Sequence, residues 1–193
     1  MKKKLLALAM VGICCSLLAY GTIAYYTASE KAENVITSGN VGIDLLEWAD
    51  EDKTVPYEEM YPDNEVTGVM PGTDVTKIVE VKNTGDNAVW VRVSVDKEII
   101  LSEESEIDAD AGLMTMDFDR DNWIDGEDGY FYYVTPLEAG NTTEPLFAAV
   151  RFDGNMTNDY QNCKAKVDVK AYAVQTANNG TTVSEAAGWP LDE

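Results

Sequence analysis

The sequence predicts an all-β protein, an antiparallel β-sandwich, and two observations predict it. First, apolar residues recur with period two: in AVWVRVSV, Val89, Val91 and Val93 share one face while Trp90 and Arg92 share the other, as in a sheet with one buried face. Second, strong turn signals such as Pro71-Gly72, Asp128-Gly129 and Asp153-Gly154 separate the short apolar runs. Only residues 102–111 and VSEAAGW, residues 183–189, are weak helix candidates.

The other strand-like runs follow the same pattern. They are NVGIDLLEW (40–48), DVTKIVEV (74–81), YFYYVT (130–135), EPLFAAVRF (144–152) and KAKVDVKAYAVQ (164–175). In the second run Val75, Lys77, Val79 and Val81 share a face, and Ile78 on the opposite face indicates that this side is partly covered as well.

The N-terminus is typical of a secretory leader. Lys2, Lys3 and Lys4 precede an apolar run from Leu5 to Ala24, with small side chains near the end of the run. We expect a helical signal peptide over 1–25, cleaved near Ala24 or Tyr25, and a secreted domain over 26–193. As a helix the run is about 30 Å long, so a retained membrane anchor stays open as the alternative.

Charge and composition exclude several classes of function. The formal net charge is −21, from 14 basic and 35 acidic residues, which makes nucleic acid an improbable partner and limits any membrane contact to the uncleaved leader. The chain has no histidine, so it lacks HExxH zinc sites and Ser-His-Asp machinery, and we expect no enzyme and no cofactor. Cys163 would be the single thiol after cleavage, and we expect it to be buried and idle.

A family resemblance covers nearly the whole chain. The segments GTIAYYTASEKAENVITSGNVGIDLLE, PGTDVTKIVEVKNTGDNAVWVRVSV, NWIDGEDGYFYYVTPLEAGNTTEPLFAAVRF and VDVKAYAVQTAN resemble the TasA, CalY and camelysin group of Gram-positive secreted proteins, particularly those exported on SipW-dependent signal peptides. The resemblance implies a jelly-roll-like sandwich, cleavage by a SipW-type signal peptidase, and assembly into extracellular fibres of the biofilm matrix. The chain departs from that pattern in an acidic loop insertion over 47–70, and it has no histidine for the peptidase activity described for camelysin.

In the family, fibres grow when the N-terminus of one subunit completes the sheet of its neighbour. Here the corresponding arm is residues 26–37, whose backbone would pair with a second copy while Val35 and Ile36 fill pockets. The alternative is that Glu33–Ile36 folds back as the first strand of its own domain.

The segment DFDRDNWIDGED, residues 117–128, is called the acidic loop below. Its five aspartates fall at the first, third, fifth, ninth and twelfth places of a calcium loop, and they are Asp117, Asp119, Asp121, Asp125 and Asp128. Asn122 replaces the turn glycine and no amphipathic helices flank the segment. A Ca²⁺ site of different geometry is one interpretation, and a solvated acidic hairpin with Trp123 packed under Tyr130 and Tyr132 is the other.

A second class of function is a monomeric adhesin or carbohydrate-binding sandwich. Trp48, Trp90, Trp123 or Tyr61 would then be the stacking residues, although each is more often used for packing. The end of the sequence, GWPLDE, shows no sorting motif, so retention at a cell surface would require self-association or binding to another matrix protein.

Overall fold

The computed structural model describes residues 35–37, 41–102, 105 and 107–190. The expected signal peptide, with Ala24 and Tyr25, lies outside these residues. Among the described residues, no helix has the length and apolar character needed to cross a membrane.

The prediction of an all-β protein with little helix is confirmed. The strands are β1 (Val35–Thr37), β2 (Ile43–Trp48), β3 (Glu65–Thr67), β4 (Asp74–Thr76), β5 (Ile78–Asn83), β6 (Val89–Ile100), β7 (Met114–Met116), β8 (Trp123–Asp125), β9 (Tyr130–Tyr133), β10 (Ala149–Phe152) and β11 (Lys164–Gln175). The one described α-helix, α1, is the single turn Tyr57–Met60, which the sequence analysis did not predict. Of the two weak helix candidates, the C-terminal one contains only a 3-10 turn at Val183–Glu185, and the described part of 102–111 contains only the first residue of a 3-10 turn, Ala111–Leu113.

The largest sheet has six strands in the order β1-β11-β6-β9-β8, with β3 also pairing with β11. Its centre is the antiparallel β6–β11 ladder, which runs from Val89 opposite Gln175 to Ile100 opposite Lys164. Both strands are rich in valine, which packs well on a pleated sheet. Val93 lies opposite Ala171 and Val169 lies opposite Val95, and both Val93 and Val169 are fully buried.

Two smaller sheets complete the described fold. One has the order β4-β10-β7, and the other is the antiparallel pair β2-β5. Side chains from all three sheets share one hydrophobic cluster, to which Val79, Met114, Phe147 and Val150 contribute alongside the β6 and β11 residues. The core is therefore continuous across the sheets.

The sequence pattern of β6 indicated one buried face, but the face that carries Trp90 and Arg92 is buried as well. Trp90 is 3% exposed and Arg92 is 8% exposed. The chain beyond β11, residues 177–190, lies over this side, and we call it the C-terminal strap. It places Val183 against Trp90 and Val174 in a separate small cluster, with Trp189 packed at its margin.

The acidic insertion over 47–70 is more than a solvated loop. Tyr57, Val66 and Val69 within it belong to the main core, and Tyr57 is 1% exposed. Its β3 strand pairs with the start of β11, at Val66 opposite Ala165. The apolar residues that lie among the charged ones therefore attach the insertion to the domain.

Candidate functional site

The N-terminal arm ends in β1, which pairs with β11 of its own chain. The pairing is parallel, with Val35 opposite Ala171, Ile36 opposite Tyr172 and Thr37 opposite Ala173. Val35 packs half-buried against the main core. In the single chain, therefore, this segment is an edge strand of its own sheet, as in the alternative that the sequence analysis left open.

The edge of β11 that receives β1 is shared with β3. β3 pairs with Lys164–Lys166 and β1 with Ala171–Ala173, so the two short strands meet β11 on either side of residues 167–170. β1 is the only parallel pairing among the described strands, and parallel ladders are slightly less stable per residue than antiparallel ones. A three-residue parallel strand at an edge is a weakly held element.

Four of the five aspartates of the acidic loop accept hydrogen bonds from local partners. The Asp117 carboxylate accepts hydrogen bonds from the Ala148 and Ala149 amides at 3.0 and 2.8 Å. The Asp128 carboxylate accepts from the Tyr130 amide at 3.1 Å and from the Tyr132 hydroxyl at 2.7 Å. Both carboxylates therefore stabilise turns and strand ends.

The two central aspartates of the acidic loop cap local turns. The Asn122 side-chain amide, 2.8 Å from Asp119, is the main cause that lowers the Asp119 pKa below its usual 3.8. The Glu127 amide, followed by the Arg120 guanidinium, lowers the pKa of Asp125 in the same way. Asp119 is half-buried and Asp125 is exposed, and in both the hydrogen bonds to the charged carboxylate outweigh the opposing effect of desolvation on the pKa.

The described residues include no group of three or more acidic or cysteine side chains arranged to hold a metal ion. Asp121 is exposed, and the structure does not bring Asp117, Asp119, Asp121, Asp125 and Asp128 together. The calcium site therefore stays a prediction from spacing, without support from geometry.

The acidic loop does form a hairpin, but Trp123 packs on the opposite face from the one expected. The β8–β9 register places Trp123 opposite Tyr133, and their ring centroids lie 5.1 Å apart. Tyr130 and Tyr132 project to the other side of β9, where Tyr132 meets Trp189. The prediction that Trp123 packs under Tyr130 and Tyr132 is therefore wrong. Residues two apart in a strand share a face, so Tyr130 and Tyr132 lie on one face of β9 and Tyr133, the neighbour of Trp123, lies on the other.

The aromatic residues proposed as sugar platforms differ in exposure. Trp90 and Trp123 are 3% and 1% exposed, and each donates its indole N–H to a backbone carbonyl within the domain. Tyr61 is half-buried, and its ring centroid lies 4.8 Å from that of Tyr57. Trp48 is also half-buried, and its indole nitrogen is buried. Trp90 and Trp123 therefore serve packing, not an open binding face.

Cys163 is fully buried and free, as the sequence analysis expected. Burial raises the pKa of its thiol, which keeps it protonated and unreactive.

Two clusters were missed by sequence reasoning. Arg92 lies under the C-terminal strap: its guanidinium carbon is 3.8 Å from the Tyr130 ring centroid and 4.9 Å from that of Trp189, and it donates to the Pro190 carbonyl at 3.0 Å. The second cluster joins Lys77, Glu47 and Tyr57 in the core. Its signal was present in the sequence, since Lys77 takes the place of an apolar residue on the valine face of DVTKIVEV.

Comparison with known proteins gives no identification: no family model, curated protein or solved structure matches this chain.

Proposed function

We propose that this chain is a secreted structural protein of an extracellular, biofilm-type matrix, a jelly-roll-like β-sandwich that self-associates through its N-terminal arm, residues 26–37. The observation that best supports the proposal is the position of β1, the described part of the arm, whose residues Val35–Thr37 pair in parallel with the edge of β11. A short parallel edge strand is easily exchanged.

Exchange between copies follows from the symmetry of the contacts. If β1 of one copy leaves its own β11, the identical strand of a second copy can occupy the same register with the same backbone hydrogen bonds. Each exchange that does not close on itself leaves one free arm and one open edge, so that the chain of subunits can grow. The same edge of β11 can therefore accept the arm of its own chain or the arm of a neighbouring copy.

Charge sets the conditions under which copies associate. The net charge is −21, and removing Lys2, Lys3 and Lys4 with the leader makes the secreted form more acidic still. Like-charged copies repel over about 10 Å at 0.1 M salt, so assembly is expected to be faster when salt or divalent cations screen the repulsion.

The test compares two purified forms, one beginning at Tyr26 and one lacking residues 26–37. Both are checked for folding by circular dichroism, and then followed by light scattering and negative-stain electron microscopy. We expect filaments from the first form and none from the second. Unchanged polymerisation without the arm would contradict strand donation, and monomers from both forms would favour a monomeric adhesin.

Export is tested separately. Mass spectrometry of the culture supernatant is expected to give a mature N-terminus near Ala24 or Tyr25, produced by a SipW-type signal peptidase. An intact chain held in the membrane would contradict secretion.

A further inference from the structure

Three polar side chains meet in the core at the base of the acidic insertion. Glu47 lies on β2 and Lys77 lies between β4 and β5, and the β2–β5 register, with Glu47 opposite Val79, makes them diagonal neighbours across the pair. The Lys77 side chain is fully buried, its Nζ lies 2.6 Å from Glu47 Oε1, and it lies 3.6 Å from the centroid of the Tyr57 ring.

These groups are close to one another but poorly satisfied. Lys77 Nζ, Glu47 Oε1 and the Tyr57 hydroxyl are all buried, and none of the three takes part in a hydrogen bond of acceptable geometry, although Nζ and Oε1 are at contact distance. An ammonium group has three N–H donors, and burying them without acceptors is strongly unfavourable.

Burial favours the neutral amine. Desolvation is the largest influence on Lys77 and lowers its pKa, while the neighbouring Glu47 carboxylate acts in the opposite direction. The Tyr57 ring face also stabilises the ammonium form, but a single ring does not replace the three lost hydrogen bonds to water. The site thus holds a fully buried amine, whose pKa is lowered by desolvation, against the carboxyl group of Glu47, whose side chain is 15% exposed.

We propose that Lys77 and Glu47 form a site of spontaneous covalent modification, an amide cross-link between Nζ and the side-chain carboxyl carbon. A proton passes from the ammonium to the carboxylate, giving a neutral amine and a carboxylic acid. The nitrogen lone pair then attacks the carboxyl carbon, the C–N bond forms, and the C–O bond to the hydroxyl breaks. The hydroxyl leaves with a second proton from nitrogen as water, so the product is one amide and one water, with no oxidant or other reactant.

The folded chain supplies what this reaction lacks in solution. Two groups fixed in contact can reach effective concentrations of about 10⁵ M or more, and exclusion of water opposes the reverse hydrolysis. The product also removes most of the hydrogen-bonding deficit, because an amide leaves a single N–H and a single carbonyl in place of an ammonium and a carboxylate.

The cross-link would close the chain from residue 47 to residue 77, a loop that contains the whole acidic insertion. Closing such a loop restricts the unfolded chain, as a disulfide does. The described part of this chain has no disulfide, since Cys163 is free. The inference does not depend on the proposed function and applies equally to a monomer and to a fibre subunit.

The decisive experiment is peptide mapping of the folded, purified protein. We expect the intact mass to fall below the sequence mass by one water, and the digest to contain a branched peptide joining Glu47 to Lys77. Dehydration at Asp128-Gly129 would give the same intact mass, so the branched peptide carries the conclusion. An intact mass equal to that of the sequence, or separate unlinked peptides for Glu47 and Lys77, would overturn the proposal.

Two variants serve as a matched pair. Lys164→Met removes a lysine whose Nζ is 2.7 Å from Glu65 but exposed, and this variant is expected to keep the cross-link. Lys77→Met removes the nucleophile and is expected to show the full sequence mass. If Lys77→Met does not fold, the wild-type map still decides, and Glu47→Gln adds a second readout, because its amide formation would release ammonia instead of water. If neither the wild type nor Lys164→Met contains a dehydrated, branched peptide that joins residues 47 and 77, the proposed site is refuted.

Discussion

The C-terminal strap is expected to contribute measurably to stability through Val183. This side chain is 2% exposed and packs with Trp90 and Val174 in a cluster separate from the main core. Val183→Ala removes two buried carbon groups at about 0.8 kcal/mol each, and the cavity left behind adds to the loss. We therefore expect the free energy of unfolding to fall by about 2 kcal/mol.

Urea denaturation followed by tryptophan fluorescence measures this loss. With a slope of about 2 kcal/mol per molar urea, the midpoint is expected to fall by about 1 M. Thr182→Ala is the matched control, because Thr182 is exposed and its side chain forms no capping hydrogen bond. A change below about 0.5 kcal/mol for Val183→Ala, or an equal change in the control, would refute the assignment of the strap as a packed element.

Three further predictions concern the acidic hairpin. Trp123→Phe is expected to lower the free energy of unfolding by about 1–3 kcal/mol, because it leaves the Glu144 carbonyl without its indole donor; a loss within experimental error in thermal or urea melts would contradict the observed packing. The pKa values of Asp119 and Asp125 are lowered in the folded state, so their contribution to stability is present above the ordinary pKa of 3.8 and is lost as the pH falls through the folded-state values. The variant with both Asp119→Asn and Asp125→Asn is therefore expected to lose stability less steeply as the pH falls. An acid-unfolding curve unchanged from that of the wild type would count against these hydrogen bonds. Because no three of the described acidic side chains are arranged to hold a metal ion, millimolar calcium is expected to leave the melting temperature equal to that in chelator. A rise in melting temperature that Asp119→Asn abolishes would instead support the calcium site.

The fold class was predictable because strand periodicity is a local property. The alternation of Val89, Val91 and Val93 marks an inward face without any knowledge of partners, and these residues are all buried. The burial of the second face was not predictable, because Trp90 and Arg92 are covered by a strap that follows β11, contains only one 3-10 turn and shows no strand pattern. Coverage by irregular chain is a tertiary property.

The acidic loop shows where spacing misleads. The five aspartates match a calcium loop in sequence, yet Asp119 and Asp125 bond to amides two residues along, which is the usual local use of aspartate in turns. The face of Trp123 depends on the hairpin register, and the pairing of Trp123 with Tyr133 is fixed by how many residues the turn contains. Without the register, the sequence analysis placed Trp123 on the face of Tyr130 and Tyr132 instead of beside Tyr133.

The Lys77 cluster was visible in the sequence but not interpretable. Lys77 shares a face with Val75, Val79 and Val81 in the sequence pattern, and in the structure it is fully buried between β4 and β5. Its partner Glu47 is 30 positions away on a strand that pairs with β5 only in the folded sheet, and 35 acidic residues offered no way to choose among them.

The most direct test of self-association asks whether β1 of one copy reaches β11 of another. Two variants beginning at Tyr26 are prepared in a Cys163→Ser background, one with Val35→Cys and the other with Ala171→Cys, at positions that face each other in the observed register. They are mixed under oxidising conditions and separated without reductant. Strand donation predicts a disulfide-linked pair that contains one copy of each variant, since directly opposed strand positions suit disulfide geometry. If the mixture yields no such pair, while a single chain carrying both substitutions closes its own disulfide, β1 serves only its own domain and the proposed assembly is contradicted.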